Sequence, residues 1–393
     1  MAGSIEKRGK DSYRLIASGG RGPDGKRIKH TKTIKAPSDR EARKELAKFV
    51  AEIQKGQYIE PSKLSLAEFA ARWVRDYGEK NLSPTTLKRY REYLNSRILP
   101  AMGHLKLEQI KPLHLLEFYR NLQEDGIRKD GKKGGLSEQT ILHHHRLISA
   151  ILEAAVKWQL IALNPASRVQ PPKVSKKEMK YYDEEQTLKL LAALEHAEPK
   201  YKVLVTLAIA TGLRRGELLG LEWSHIDFER NTIEIKQSSL YVEGKGVITK
   251  TPKNKSSERM ISAPDSVMAL LREYKRIQNE ERLKLGDIWQ HSDRLFTTWD
   301  GKPMHPNTVN NWFPKFLRKN KLDPLPFHGL RHTAATLLIG KGVHVKTISN
   351  RLGHANISTT MDIYGHALQS SDQEAADKIN DFFTPANEKR EQA

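Results

Sequence analysis

The C-terminal half of the chain contains residue types that together can break and re-form a phosphodiester bond without a metal ion. That reaction needs a nucleophile, cations that hold the phosphate charge as it develops, and an acid for the leaving oxygen. Tyrosine, arginine, lysine and histidine can supply these roles. The candidates for these roles lie in four segments, which are 211–217, 248–259, 328–332 and 352–366.

The first of these segments has the sequence TGLRRGE. It predicts a glycine turn that ends one apolar helix and places Arg214 at the start of the next. An arginine at such a junction can point into a cleft and hold two phosphate oxygens with its planar guanidinium. Glu217 lies one turn further on and could orient that guanidinium. The alternative is a surface arginine near a helix start, which this motif alone does not exclude.

Two later segments add two histidines, a second arginine and a tyrosine. The segment HGLRH contains His328 and Arg331, which lie three residues apart and therefore on one face of a helix. The segment LGHANISTTMDIYGH contains His354 and Tyr364. A lone tyrosine is most often a core residue. Tyr364, however, follows the ordered series arginine, His-x-x-Arg and Gly-His, which is specific as a set although each piece is weak.

With this order of residues the chain resembles the tyrosine recombinase (phage integrase) family. The helical region before these segments and the small basic region before that are similar to those of integrases from temperate phages and conjugative transposons. The resemblance extends over essentially the whole chain. It is strongest over 205–366 and weakest over 1–60.

The resemblance implies a role for each candidate residue. Arg214 and Arg331 would clamp the non-bridging oxygens of the scissile phosphate. His328 would orient Tyr364 or accept its proton, and His354 would add a hydrogen bond to the phosphate. Tyr364 would attack, leaving a 3′-phosphotyrosine and a free 5′-hydroxyl. Because the covalent link keeps the phosphodiester energy, rejoining would need neither ATP nor a metal, so no cofactor is predicted.

The general acid of the family is a lysine on a strand turn, and the segment ITKTPKNKSSER offers three lysines for this role. The family pattern Pro-Lys-Thr matches Lys253, with Asn254 where threonine is usual. Lys250 is the next candidate. Those of the three that are not the acid would be solvated or would contact DNA phosphates.

Other histidine patterns have simpler explanations. His328 and His332 have the spacing of a helical zinc pair, but Gly329 stands where a metalloprotease would have its glutamate. No third ligand follows, so a metal site is not predicted. The consecutive histidines at 143–145 face different directions on a helix and are expected on a surface or facing DNA.

The composition favours a nucleic-acid partner. The chain has 67 Lys and Arg against 47 Asp and Glu, a formal net charge of +20, and such a surplus usually faces a polyanion. A basic protein without such a partner is the alternative. The absence of cysteine excludes disulfides and thiol catalysis. No apolar run of membrane-spanning length and no secretory signal is seen, so the cytoplasm is the expected location. The resemblance implies a bacterial protein associated with the nucleoid.

The elements that must position these residues predict a multidomain α+β fold. Residues 1–60 predict an arm-type DNA-binding domain: a β-hairpin with a possible third strand nearer the N-terminus, then a helix that starts at Ser38. With the helix on one face of the small sheet, the other face would present lysine and arginine to a DNA groove. A basic capping subdomain is the alternative.

Residues 64–170 predict an all-α core-binding (SAM-like) domain, a bundle of four or five helices. Ser65 and Glu68 form a capping box at the start of one helix, and Ser83 followed by Pro84 starts another. A basic linker at 171–177 follows this domain.

Residues 178–385 predict the catalytic domain, which is mainly helical with a small antiparallel sheet at one edge. Three short strands are expected over 231–237, 240–250 and 259–263, and helices fill the rest.

The predicted function is a site-specific DNA recombinase, an integrase that integrates or excises a mobile element. Its partners would be double-stranded DNA, at core and arm-type sites, and three more copies of the chain in a homotetramer that exchanges strands through a Holliday junction. An excision factor or a DNA-bending protein could assist. The C-terminal segment 367–393 would dock on a neighbouring protomer or, alternatively, on its own domain. A type IB topoisomerase-like enzyme and a catalytically idle DNA-binding protein are the alternative functions.

Overall fold

A computed structural model describes residues 3–21, 25–55, 58, 63–175, 179–250, 258–354, 356–357, 360–361 and 379. The chain divides into two compact units, Met1–Lys176 and Lys177–Ala393. Within the described ranges, no helix has both the length and the apolar character needed to cross a membrane.

The first unit begins with a small sheet covered by one helix. Its elements are β1 (Gly3–Lys7), β2 (Ser12–Arg21), β3 (Arg27–Lys35) and α1 (Asp39–Gln54). The strands are antiparallel in the order β1-β2-β3, so the predicted hairpin and third strand are confirmed. Ser38 caps α1 by accepting a hydrogen bond from the backbone N–H of Glu41. Leu15 and Ala17 on β2 pack against Phe49 of α1, which leaves the other face of the sheet exposed.

A helical bundle forms the rest of the first unit. Its helices are α2 (Leu66–Trp73), α3 (Glu79–Asn81), α4 (Pro84–Tyr93), α5 (Leu99–Met102), α6 (Pro112–Gln123) and α7 (Glu138–Lys157). The predicted capping box is present: Glu68 accepts from the backbone N–H of Ser65 at 2.8 Å, and the Ser65 hydroxyl accepts from that of Glu68. Ser83 likewise caps α4, with Pro84 at its first position.

One expectation for the bundle is wrong. His144, expected with its neighbours on a surface, is buried. Its ring stacks on Tyr93 with 4.4 Å between centroids, and its Nδ1 hydrogen-bonds the carbonyl of Thr140 at 2.8 Å. A histidine one residue from the exposed side of a helix can turn fully into the core, because successive helical residues differ by about 100° in direction.

The second unit is mainly helical. Its helices are α8 (Glu184–Leu194), α9 (Pro199–Thr211), α10 (Arg215–Leu218), α11 (Asp265–Leu285), α12 (Pro306–Lys319), α13 (Gly329–Gly340) and α14 (Val345–Leu352). The apolar helix α9 packs against α11 and α13 at the centre of the unit. This central position is why α9 is almost entirely apolar from Val203 to Ala210.

The strands of the second unit differ from the prediction in two respects: a short strand precedes the three expected ones, and the second expected strand is a hairpin. They are β4 (Ile226–Asp227), β5 (Thr232–Ile235), β6 (Ser238–Val242), β7 (Gly246–Lys250) and β8 (Arg259–Ser262). The strand expected over 240–250 is instead part of a hairpin, β6-β7, because Gly244 and Gly246 adopt positive φ and turn the chain back. The hairpin is a separate two-stranded sheet, and β4-β5-β8 form the other.

Candidate active site

Arg214 lies in a sharp junction between α9 and α10. Helix α9 ends at Gly212, whose φ of 65° is left-handed, and a side chain at this position would also collide with Leu352 of α14. Arg214 itself is extended and caps α10. The glycine turn predicted from the sequence is therefore present, and two constraints, backbone conformation and close packing, require glycine there.

The Arg214 guanidinium is oriented by groups on two different elements. Its Nη1 donates to Oε1 of Glu217 at 2.8 Å, and its Nη2 donates to the carbonyl of Gly353 at 3.1 Å. Glu217 also accepts from the backbone N–H of Arg214 through Oε2, at 3.0 Å. The Arg214 side chain remains 41% exposed, so it is held in place and still accessible to a ligand.

His328 and Arg331 stand at the start of α13. Arg331 is buried, and its Nη1 donates to the carbonyl of Gly212 at 2.8 Å. The second arginine therefore touches the turn that positions the first. His328 is the residue just before α13, and its ring packs edge-on against that of His332 with 5.1 Å between centroids.

His354 follows the C-terminal turn of α14. Gly353 ends this helix with a φ of 68°, and the backbone N–H of His354 donates to the carbonyl of Ser349 at 3.1 Å. Its ring Nδ1 lies 2.8 Å from the hydroxyl oxygen of Thr360, a buried residue. If that hydroxyl donates to Nδ1, the ring hydrogen lies on Nε2, which can then donate to a ligand.

The electrostatics of the site are those of a cationic, partly desolvated pocket. Burial, together with the positive charges of Arg331 and Arg214, lowers the pKa of His328 below its ordinary value. The same causes, with burial again the largest, lower the pKa of His354 to about 4. Both rings are therefore neutral near pH 7, and a phosphate would meet two fixed arginine cations and two neutral imidazoles.

The structure thus brings together four of the six residues predicted from the sequence: Arg214, His328, Arg331 and His354. Lys253 and Tyr364 lie outside the described residues, as does the C-terminal segment 367–393 except for Ile379. Among the residues that are described, no group of three or more metal-ligating side chains occurs.

Sequence reasoning assigned no role to Arg259, which contacts this site. Its Nη2 donates to Oε2 of Glu217 at 2.9 Å, and its Nε donates to the carbonyl of Arg351 at 2.8 Å. An arginine at the start of a strand gives no local signal of such contacts. They join positions 42 and 92 residues apart in the chain.

Two family models match the chain. The Phage integrase family model matches residues 180–371, and the model of the phage integrase N-terminal SAM-like domain matches residues 65–123. With the relatives described next, these matches show that the chain belongs to the tyrosine recombinase (phage integrase) family, and so to the tyrosine-type site-specific recombinases.

Relatives match along almost the full chain. A tyrosine recombinase XerC-like protein of Caldanaerobacter subterraneus is 30% identical over 96% of this chain and 98% of its own length. The ICEBs1 integrase of Bacillus subtilis is 28% identical over 97% of this chain and 100% of its own length.

Solved structures share the fold. The Tn1549 transposon integrase in complex with a circular intermediate DNA superposes with a TM-score of 0.66 at 21% identity, covering 81% of this chain and 100% of that one. A lambda integrase dimer bound to a core site gives a TM-score of 0.55 at 19% identity over 92% of this chain and 95% of that one.

Proposed function

We propose that this recombinase integrates and excises a mobile element by cutting and rejoining DNA through a 3′-phosphotyrosine at Tyr364. The relatives named integrase or transposon integrase support the mobile-element role. The proposed catalytic set is Arg214, Lys253, His328, Arg331 and His354 together with Tyr364.

One observation carries the proposal: hydrogen bonds link the segments that contain Arg331, Arg214 and His354. Arg331 donates to the carbonyl of Gly212, two residues before Arg214, while Arg214 donates to the carbonyl of Gly353, next to His354. Arg214 before α10, Arg331 on α13 and His354 after α14 are thereby held together by hydrogen bonds of the protein itself. Pre-set cations of this kind stabilise charge that develops in a transition state, because they need not reorganise.

Each described residue is assigned a role from the negative charge that develops on the phosphate during attack. As a nucleophile attacks phosphorus, negative charge grows on the non-bridging oxygens, and the guanidinium of Arg214 can donate two N–H groups to them. His354 would donate from Nε2 to one of the same oxygens. Neutral His328, with its lowered pKa, would accept the phenolic proton of the attacking tyrosine.

Tyr364 and Lys253 would complete the covalent step. The phenolic oxygen of Tyr364 forms a bond to phosphorus as its proton passes to His328, and the bond from phosphorus to the 5′-oxygen breaks. Lys253 gives a proton to that oxygen, which leaves as a 5′-hydroxyl. Rejoining is the reverse of this step, so no external energy source is needed.

The architecture supports three DNA-binding parts: an arm-type domain at 1–60, a core-binding domain at 64–170 and the catalytic domain at 178–385. The small sheet has a separate core beneath α1, and the bundle has its own. On the sheet face opposite α1, β3 presents Arg27, Lys29 and Lys35, all exposed, which suits a DNA groove.

Assembly on DNA is proposed as a homotetramer. A lambda integrase tetramer has been solved on a Holliday junction. We propose that four copies of this chain assemble likewise and exchange strands in pairs. The segment 367–393 would dock on a neighbouring protomer, and an excision factor or DNA-bending protein would set the direction of the reaction. Such an enzyme would work at the bacterial nucleoid, in the cytoplasm.

Covalent trapping tests the chemistry. Duplexes with a randomised centre and a nick near it are incubated with the wild-type chain in EDTA, and DNA attached to protein is recovered and sequenced. The nick lets the cleaved fragment diffuse away, so the covalent intermediate accumulates. We expect a single enriched sequence, called the captured site below, with the adduct mapped to Tyr364. Absence of any adduct from the wild-type chain contradicts the catalytic proposal.

Two further measurements separate the alternatives. Tyr364→Phe should abolish the adduct while leaving binding to the captured site unchanged, because only one hydroxyl is removed. Paired captured sites on one plasmid should recombine. Relaxation of supercoils without recombination would instead support a topoisomerase-like enzyme.

A further inference from the structure

The guanidinium of Arg259 lies between the two parts of the second unit that bear phosphate-binding candidates. On one side it donates to Glu217, the carboxylate that orients Arg214. On the other it donates to the carbonyl of Arg351, in the last turn of α14. The side chains of Arg259 and Glu217 are 8% and 10% exposed, so water does not compete strongly for these contacts.

The turn before His354 is packed directly on this guanidinium. A Cβ atom added to Gly353 would lie 2.7 Å from Nη1 of Arg259, closer than real Cβ atoms approach another atom. Gly353 is also the residue whose carbonyl accepts from Arg214. The position of that carbonyl, and of His354 after it, therefore depends on where the Arg259 guanidinium lies.

Local structure alone does not fix these groups. Helix α10, which follows Arg214, is only four residues long, and His354 follows the end of α14. The contacts of Arg259 join both to β8, which is paired along its length with β5. A sheet strand thus provides the rigid support that the short helix and the turn lack.

We infer that Arg259 is a positioning residue for strand cleavage: its buried guanidinium holds Glu217, and through it Arg214, in register with the turn that carries His354. Arg259 need not touch DNA to do this. The inference rests on the proposed function, because it concerns how the phosphate clamp of that reaction is held.

The shared carboxylate explains why a second cation is needed. Burial alone would raise the pKa of Glu217, but Arg259 and Arg214 outweigh burial and lower it below its ordinary value. If Arg259 were replaced by an apolar residue, Glu217 would keep a single cationic partner. The buried carboxyl would then take up a proton more readily and release Arg214 from its position.

The test measures the single-turnover rate of adduct formation on the nicked captured site, with binding measured separately by mobility shift. Arg259→Met should slow adduct formation by about 100-fold, the cost of misplacing a catalytic group by about 1 Å, with binding unchanged. Arg259→Lys keeps one charge but cannot reach both acceptors, so its rate should lie between those of wild type and Arg259→Met. The matched control is Arg276→Met, which removes an exposed arginine paired with Glu280 on α11 and should leave the rate unchanged.

A double-mutant comparison distinguishes positioning from general destabilisation. If Arg259 acts through Arg214, Arg259→Met should slow an Arg214→Ala enzyme much less than it slows wild type. A penalty that is the same in both backgrounds, within about twofold, overturns the inference. If Arg259→Met does not unfold cooperatively, the same comparison is made with Arg259→Lys.

The pH profile gives a second readout. In Arg259→Met, Glu217 loses the partner that lowers its pKa, so the rate of adduct formation should rise with pH as this carboxyl ionises. This rise should come in addition to the one that the proton acceptor His328 gives in both enzymes. A variant whose rate and pH profile equal those of wild type also overturns the inference. Failure of the wild-type chain to form any adduct would refute the proposed function instead, so the two failures are distinguishable.

Discussion

Arg214 needs the geometry of a guanidinium as well as its charge. Two of its nitrogens already donate to Glu217 and to the carbonyl of Gly353, and the remaining N–H groups are left for a phosphate. A lysine ammonium has three donors on a flexible stem and cannot repeat this planar arrangement. The positive charge that lysine retains would still attract DNA. Replacing Arg214 by lysine should therefore impair catalysis much more than DNA binding.

Arg214→Lys should therefore reduce the rate of adduct formation by about 10²- to 10³-fold, the usual cost of removing a transition-state hydrogen-bond donor. Binding to the captured site should change by less than about threefold, because one phosphate contact among many is altered. The measurement is a single-turnover time course beside a mobility shift. Arg272→Lys on α11, an exposed arginine that donates to the carbonyl of Phe228, is the control. Near-wild-type cleavage by Arg214→Lys would contradict the clamp.

His332 makes the second unit sensitive to acid. Burial, followed by the charges of His328 and Arg331, lowers its pKa to about 4, whereas an unfolded chain has a histidine pKa near 6.5. As the pH falls, His332 therefore takes up a proton in the unfolded chain before it does so in the folded one. The stability contributed by neutral His332 is complete above about pH 6.5 and is lost as the pH falls toward 4.

The free energy of unfolding of the second unit should accordingly fall between pH 7 and pH 4.5, with His332 accounting for about 2 to 3 kcal/mol. His332→Asn should make that dependence less steep, although it lowers stability at pH 7. The remaining slope comes in part from His354, whose pKa is also about 4. Urea unfolding at the two pH values, followed by a probe in the second unit, measures the difference. An equally steep loss in His332→Asn would assign the acid sensitivity to other groups.

Turns that end helices decide where the catalytic elements lie. Gly353 and Gly342 both adopt left-handed backbone, with φ of 68° and 73°. A Cβ at Gly353 would strike Arg259, whereas a Cβ at Gly342 would meet nothing within 4 Å. Comparing substitutions at the two glycines therefore separates the effect of backbone strain, which both share, from the effect of displacing Arg259, which only Gly353 has.

Gly353→Ala and Gly342→Ala should each lose about 1 to 2 kcal/mol of stability through the left-handed backbone alone. Only Gly353→Ala should also lose adduct formation, by tenfold or more, because the turn must move away from the Arg259 guanidinium. Thermal unfolding and the single-turnover assay are run on both variants. Equal loss of cleavage in the two would show that strain, and not the Arg259 contact, is responsible.

Elements with local signals could be predicted from the sequence. Ser38, Ser65 and Ser83 mark helix starts through hydrogen bonds to residues three positions away, and the periodic apolar residues of α1 and α2 are equally local. The hairpin β6-β7 was predicted as one strand, although Gly244 and Gly246 are the turn signal that would have divided it. The order of the active-site motifs predicted six catalytic residues, and the four that the structure describes lie close together.

What the sequence could not predict are contacts between distant segments. Nothing near Arg259 in the chain indicates that it will meet Glu217 or Arg351. The pairing follows from strand β8 lying beside β5 and from α14 ending above it. Likewise, whether His144 faces the core or the surface depends on how α7 is rotated against Tyr93, and the three consecutive histidines are chemically identical. Such choices are made by packing and not by local propensity.

At the scale of the whole molecule, charge is the dominant feature. The chain carries a net charge of +20, and part of it lies on the small N-terminal sheet. Successive side chains of each strand point to opposite faces of this sheet. Lys32 lies over the ring of Phe49, on the face that α1 covers. Lys29 and Lys35, at odd positions of the same strand, therefore lie on the opposite side, together with Arg14 of β2, which pairs with Thr33.

If that outer face binds DNA, the triple variant Arg14→Gln, Lys29→Gln, Lys35→Gln should weaken binding of the full chain to duplex DNA and reduce its salt dependence. Each lost phosphate contact lowers the slope of log affinity against log salt by about 0.9, so three contacts lower it by about 2.7. Fluorescence anisotropy between 50 and 200 mM salt, roughly the range over which such slopes are read, measures it.

The matched control is Arg43→Gln, Lys44→Gln, Lys48→Gln, which removes the same charge from exposed positions of α1. Long-range attraction falls equally in both variants, because it depends on the total charge. The two variants should therefore differ in salt dependence only if the sheet face contacts phosphates directly and the α1 face is turned to solvent. Equal slopes in the two variants would mean that the sheet contributes charge without a defined contact, and the small domain would then be a basic cap and not a DNA reader.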